Sequence, residues 1–371
     1  MRPLEGLLVL DFSTLLPGPL ASLILAEAGA RVVKIERPGR GDEMRVYEPK
    51  LGDDSVNFAM LNRGKQSIAL DLKAADAVEK LTPLIRRADV LIEQFRPGVM
   101  ERLGLGYEVL RQLNPKLVYC SITGWGQTGP KAHAASHDLN YIAETGVLGL
   151  SAGADGAPVL PPVLAADVAG GTFPAVMNIL LALRQRDITG LGTHLDIAMG
   201  DNLFSFLYWG LGSGFSGAGW PKPGGELVTG GSPRYQIYRT SDDRYVAAAP
   251  IEDKFWENFT RIIDLPEAMR DPATPEAEAK AAVAARIASK SAAEWQALFA
   301  GQDVCCSIVA TLEEAVADPH TAARRVFTHT LKAGGQEIPA LPVPLAPIFR
   351  TEPTRGIAPR LGETSDPLLS L

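Results

Sequence analysis

Three side chains stand where acid–base chemistry could be done. His137 and Asp138 lie side by side in "KAHAASHDLNYIAETG" (131–146), where a polar, alanine-spaced loop gives way to an apolar helical pattern. An imidazole can give or take a proton near neutrality. A His-Asp pair at such a boundary is also readable as a plain helix start, with the acid complementing the helix dipole. Asp167, in "LAADVAGGTF", precedes Gly170-Gly171 and a long apolar run. It reads as a helix N-cap, a position expected to lower its carboxylate pKa and keep it ready as a base. Gly170 and Gly171 would permit close approach by a substrate or a neighbouring backbone. Glu252, in "PIEDKF", can be a solvated acid at another helix start.

The other histidines, His133, His194, His320 and His329, have no acidic partner at a telling spacing. The three cysteines form neither a CxxC nor a Cys/His cluster, so neither a metal site nor a disulfide framework is expected. Cys305-Cys306 reads as packed interior.

Positioning these groups falls to alternating elements. "LLVLDF" (7–12) is a short apolar run, and "RVVKIE" (31–36), "SIALDL" (67–72), "ADVLIEQF" (88–95) and "KLVYCSI" (116–122) are further strand candidates, with helical segments between several of them. A further helix–strand unit runs from Asp167 to "THLDIAM" (193–199). That rhythm predicts βαβ units around a parallel sheet. Residues 210–233 are dense in Gly and Pro and read as a linker. Beyond them, 234–250 predicts a hairpin turning at Asp242-Asp243, followed by "EDKFWENFTRIID" and alanine-rich helices. The expected organisation is a large Rossmann-like α/β domain over 1–209, completed by the Pro-rich tail 339–371, and a smaller α+β domain over 234–338.

The chain has 371 residues, 46% of them hydrophobic and 21% charged, a globular balance. A formal net charge of -7 argues against nucleic acid as a partner. The apolar opening is broken by Asp11, Pro17 and Pro19 and is too short for a span of roughly 20 residues, so no membrane partner is expected. Cytoplasmic localisation fits the cysteine usage. The first β-turn-α-β unit, ending at Glu36, superficially suggests a dinucleotide site. Its turn, "LLPGPLAS", has one glycine between two prolines, which lack the N–H groups that would cradle a phosphate.

Five segments together carry a family resemblance: "GPLASLILAEAGARVVKIERPG", "SIALDLK", "GWGQTGP" with "SHDLNYIAETG", "LAADVAGG" and "YRTSDDRYVAAAPIEDKFWENF". The sequence resembles the family III CoA-transferases (the CaiB/BaiF superfamily), and within them the α-methylacyl-CoA racemases. The resemblance implies an interlocked, obligate homodimer whose active site lies between domains of different subunits. It implies an acyl-CoA substrate, with coenzyme A arriving as part of the substrate and no tightly bound cofactor. In the racemases, the histidine matching His137 is catalytic, the aspartate matching Asp167 is the second acid/base, and the glutamate matching Glu252 pairs with the histidine. The transferases use the matching aspartate as a nucleophile. Asp138 would lend its backbone N–H to the enolate oxygen.

For the CoA moiety the resemblance points to Arg37, to Ala69, Leu70, Asp71, Leu72 and Lys73, to Gln94, Phe95, Arg96 and Arg102, and to Ser136, Asn140 and Tyr141. Ser136 stands where the racemases usually have Gly, and Arg234 where they have an aromatic residue. The expected function is epimerisation of a 2-methyl-branched acyl-CoA by 1,1-proton transfer through an enolate. The alternatives are a CoA-transferase working through an Asp167 anhydride and a catalytically silent acyl-CoA-binding protein.

Overall fold

The structure is a computed structural model and describes residues 2–153 and 155–364. Two compact units emerge: of the described residues, 2–145, 161–205 and 322–364 form the larger, and 146–153, 155–160 and 206–321 the smaller.

The larger unit is α/β. Its six strands are β1 (Leu8–Asp11), β2 (Arg31–Glu36), β3 (Gln66–Ala69), β4 (Val90–Glu93), β5 (Val118–Thr123) and β6 (His194–Ala198). They lie in the order β3-β2-β1-β4-β5-β6, and every pairing is parallel. Parallel strands covered on both faces read as near-continuous buried runs, and β1, β4 and β5 are buried throughout. One face packs Leu10, Val33, Leu91 and Tyr119 against Leu81, Leu84 and Leu110 of the helices Ala77–Ile85 and Tyr107–Leu113. Around the helix Pro17–Glu27, Leu20, Leu23 and Ile24 pack with Leu61, Val168 and Val176.

Charge is buried beside β1. The Asp11 carboxylate accepts from Ser22 Oγ (2.6 Å) and Lys65 Nζ (3.2 Å), while Lys34 Nζ pairs with Asp42 (2.9 Å). Burial alone would raise the Asp11 pKa, but Lys34 and Lys65 outweigh it and hold the carboxyl well below its usual range. Lys65 is pushed down to about 8, chiefly by burial. The network pins the β1 turn: Leu15 adopts a left-handed φ of 62° and donates its N–H to Asp42 Oδ1 (3.1 Å). Glu36 is engaged too, by Arg45 (2.7 Å) and Ser67 Oγ (2.6 Å).

The boundaries differ from those read in the sequence at three places. Residues 210–233 lie inside the smaller unit, which includes the helix Tyr208–Phe215; Gly density marked turns and a Gly-bearing helix. Residues 146–160 also belong to the smaller unit. Residues 322–338 belong to the larger, because Thr330–Ala333 pairs with Gln336–Pro339 and, in parallel, with Arg355–Ile357. The tail lies along the larger unit, where Ser67 N–H donates to Glu363 O (3.0 Å) and Arg63 to Leu341 O (2.7 Å); its last residues, 365–371, fall outside the described part.

In the smaller unit an antiparallel sheet orders Cys306–Ile308, Tyr245–Ala248 and Gln236–Arg239. Its core packs Tyr238, Val246, Trp256, Phe259, Val283 and Trp295. Cys305, read as interior, is exposed, with a left-handed φ of 48° that turns the chain into the edge strand.

Candidate active site

A cavity of about 410 Å³ opens at the C-terminal ends of β1, β4, β5 and β6. Strand order reverses between β1 and β4, and open parallel sheets present their ligand crevice at that switch point. The β1 turn contributes Thr14, Leu15 and Pro17; the segment after β4 contributes Gln94, Arg96 and Pro97; β5 and its following turn contribute Thr123, Gly124 and Trp125.

His137 lines this cavity from the N-cap position of the helix Asp138–Glu144. Its backbone N–H donates to Asn140 Oδ1 (3.0 Å), and its carbonyl accepts the Asn140 N–H (2.9 Å). The capping contacts therefore run through the backbone and Asn140, with the ring exposed at the cavity. Asp138, one residue on, is buried, and its Oδ1 accepts the Asp167 N–H (2.9 Å). Its own N–H stands at the first helical position, where no intrahelical acceptor exists.

Asp167 reaches the same cavity from a π-helical segment, Ala166–Thr172, that runs directly into the helix Phe173–Thr189. It is therefore not an N-cap, and its pKa moves opposite to the expected direction. Burial, then the Asp138 carboxylate, raise it to about 6, while nearby His137 opposes the rise. π-turns inside helices recur at functional sites. Gly170 explains how this one packs: a Cβ there would lie 2.4 Å from Met199 O.

Ser136, Asn140 and Tyr141 also line the cavity, with Gln94 and Arg96. Ser136 Oγ accepts from Trp125 Nε1 (3.3 Å), and Tyr141 OH donates to Ser136 O (3.0 Å), so the serine braces the loop before His137. Other expected CoA contacts stand off it. Arg37 is half-exposed, donates to Gly41 O (3.2 Å) and faces Glu43. Leu70 is buried in the core, Leu72 and Phe95 pack against it, and Ala69, Asp71, Lys73 and Arg102 are exposed or only partly covered. A core side chain such as Leu70 has only its backbone to offer a ligand.

Glu252 belongs to the smaller unit, as the exposed N-cap residue of the helix Asp253–Ile262. Arg234 holds that turn. Its guanidinium donates to Ile251 O (2.9 Å) and Asp253 Oδ1 (2.6 Å), on either side of Glu252, and lies 5.2 Å over the Trp256 ring.

Residues 4–365 match the family described as CoA-transferase family III. The chain belongs to that family. Among its relatives, the human α-methylacyl-CoA racemase is 36% identical over 95% of this chain and 90% of the relative. The acetyl-CoA:oxalate CoA-transferase of Acetobacter aceti is 35% identical over 93% and 89%. A CAIB/BAIF family protein of Brucella suis has a similar solved structure, with a TM-score of 0.82, 29% identity and 97% of each chain covered. Members of the family thus include racemases and CoA-transferases at nearly equal identity to this chain.

Within this family frame, Thr14, Leu15, Pro17, Thr123, Gly124, Trp125 and Met199 are cavity residues that sequence reasoning missed. Their available signal was position, since each sits at or just past the C-terminal end of a parallel strand.

Proposed function

We propose that the protein epimerises a 2-methyl-branched acyl-CoA by moving its α-proton between His137 and Asp167. The observation that carries this reading is that both groups line one cavity, with the Asp167 pKa raised to about 6. One group removes the proton from C2 of the thioester and the other returns a proton to the opposite face. The intervening enolate oxygen needs a donor, and the Asp138 N–H at the helix start can supply one. Arg96 offers a cation to the CoA phosphates, which its planar fork suits. Glu252 as partner of the imidazole rests on the family resemblance alone.

A CoA-transferase is the second reading, favoured by the nearly equal match to the Acetobacter enzyme. In it the Asp167 carboxylate attacks the thioester carbonyl, expels CoA thiolate and forms a mixed anhydride. His137 has no required part. Incubating the protein with 2-methyl acyl-CoAs in D₂O, with acceptor acids assayed in parallel, separates the two. Deuterium at C2 with racemised product supports epimerisation; CoA transfer without exchange overturns it. Neither reaction across a broad panel would leave a silent binding protein.

A further inference from the structure

Behind the cavity lies a chain of polar groups that the proposed proton transfer does not use. Glu93, the last residue of β4, is 3% exposed, and Ser121, its register neighbour on β5, is 1% exposed. The Ser121 hydroxyl sits beside the Glu93 carboxyl and favours its charged form, and its Oγ is 2.9 Å from His194 Nε2 on β6. His194 stacks on Tyr107 (5.3 Å between centroids) and meets the edge of Tyr119 (5.2 Å).

At its other end Glu93 touches the wall of the cavity. Its Oε2 accepts the Phe95 N–H (2.8 Å). That bond fixes the backbone from which Gln94 and Arg96 enter the cavity. Gln94 Oε1 then accepts the Gly18 N–H (2.8 Å), at the start of the helix Pro17–Glu27. The contact is tight: a Cβ on Gly18 would lie 2.5 Å from that oxygen.

We propose that Glu93 is a positioning residue for the acyl-CoA cavity: held through Ser121 to His194, its carboxylate orders the 94–97 segment, and its protonation loosens that segment. The direction of hydrogen bonding along the chain follows the charge. With Glu93 ionised, Ser121 donates to it and accepts from His194 Nε2–H. With Glu93 protonated, its O–H can donate to Ser121, which turns to donate to an unprotonated Nε2. Only the ionised carboxylate makes a charge-assisted bond to the Phe95 N–H, and such bonds are roughly twice as strong as neutral ones.

The surroundings place this switch near neutral pH. Burial raises the Glu93 pKa to about 7, opposed by the bonds from Ser121 and Phe95, with Glu101 and Asp196 adding to the rise. Burial lowers the His194 pKa, opposed by Asp196, Glu101 and Glu108. Tyr119 and Cys120, which also feel the Glu93 charge, are pushed upward by burial and stay neutral in this range.

The CoA part of this inference rests on the proposed acyl-CoA reading, so the test has two arms, both on the full chain. In the first, the exchange rate of the Phe95 amide is followed from pH 5.5 to 8.5 in wild type, Glu93→Gln and Ser121→Ala. After division by the intrinsic rate, wild-type protection should rise with a midpoint near pH 7. Glu93→Gln should be flat. Ser121→Ala should move the midpoint up, because it removes a bond to the charged form.

In the second arm, CoA affinity is measured as the ratio of wild type to Glu93→Gln at each pH, which cancels titration of CoA's own phosphate. The ratio should be near one at pH 6 and about 3- to 10-fold in favour of wild type at pH 8. A flat wild-type amide profile, a midpoint that survives Glu93→Gln, or a ratio independent of pH overturns the proposal. Absence of CoA binding by wild type at every pH would instead sink the acyl-CoA reading, with the amide profile still deciding the role of Glu93.

Discussion

At the scale of single residues, the cavity makes His137 and Asp167 separable by experiment. General acid–base groups are worth about 10²–10⁴-fold each, so His137→Ala and Asp167→Ala should each lower racemisation by that order. Each variant should still exchange the α-proton of one enantiomer, since the remaining base faces its own side. A transferase would lose activity with Asp167→Ala and be nearly indifferent to His137→Ala. Asp167 also predicts a pH dependence. Its pKa is raised from 3.8 to about 6, so the folded protein holds the proton more tightly than the unfolded chain. The stability this carboxyl contributes is present below about pH 4 and is lost as pH rises through 6. Asp167→Asn should therefore match wild type in stability at pH 4 and exceed it at pH 8, by about 1–2 kcal/mol after allowance for partial exposure. Urea titrations at the two pH values check this. As a base, Asp167 must be ionised, so kcat/KM in the direction that uses it should climb through pH 6.

At the scale of elements, the π-helical segment Ala166–Thr172 decides where Asp167 points. Within it the Phe173 N–H reaches back to Val168 O, one residue further than an α-helix would. Gly170 packs against the backbone at Met199, and Asn202 Nδ2 donates to Gly170 O (2.8 Å), locking the two segments together. Gly170→Ala would place a methyl group 2.4 Å from a backbone oxygen that has no rotamer to escape into. The expected cost is about 1–3 kcal/mol, as for other overpacked sites. A lowered melting temperature with weakened catalysis would fit. An unchanged variant would show that the segment yields easily and that the glycine is not what places Asp167.

At the scale of the whole molecule, the long helix raises the question of what covers it. Residues Ala166–Thr189 are apolar and long enough to cross a membrane by length and composition, yet Ala175, Ile179, Ala182 and Leu183 are buried in the larger unit. Outward, Phe173, Met177, Leu180, Leu181 and Ile188 remain exposed, Ile188 to 70%. Contiguous apolar surface of this kind marks an interaction face, and a second copy of the chain is the occupant we propose. The expected state is an obligate homodimer, with a single dimeric species in analytical ultracentrifugation down to nanomolar concentration. A folded, active monomer there would contradict it. Met177→Glu together with Leu181→Glu should prevent assembly. A CoA-binding protein should also gain melting temperature in free CoA, because a ligand that binds only the native state stabilises it by mass action. A shift with NADH and none with CoA would point back to a dinucleotide site.

Much of this was legible in the residues themselves. Short strand-length segments such as Arg31–Glu36 and Val118–Thr123, alternating with helical patterns, were enough to place strands and predict a parallel sheet, and their near-continuous burial follows from both sheet faces being covered. His137 and Asp167 stood out because imidazole and carboxylate are the groups that chemistry near neutral pH requires. What composition could not determine was register and environment. Glu93, Ser121 and His194 lie on three strands, and only the parallel pairing of β4, β5 and β6 sets Ser121 beside Glu93 and within hydrogen-bond reach of His194. The rise in the Asp167 pKa has the same origin: burial and the Asp138 carboxylate, 29 residues away in sequence, act through a field that depends on distance in space. Domain edges failed for that reason too, since Thr330–Ala333 joins the larger unit by pairing with a strand some two dozen residues further on. Local pattern determined which elements form; the tertiary structure decided which charges and strand edges they share.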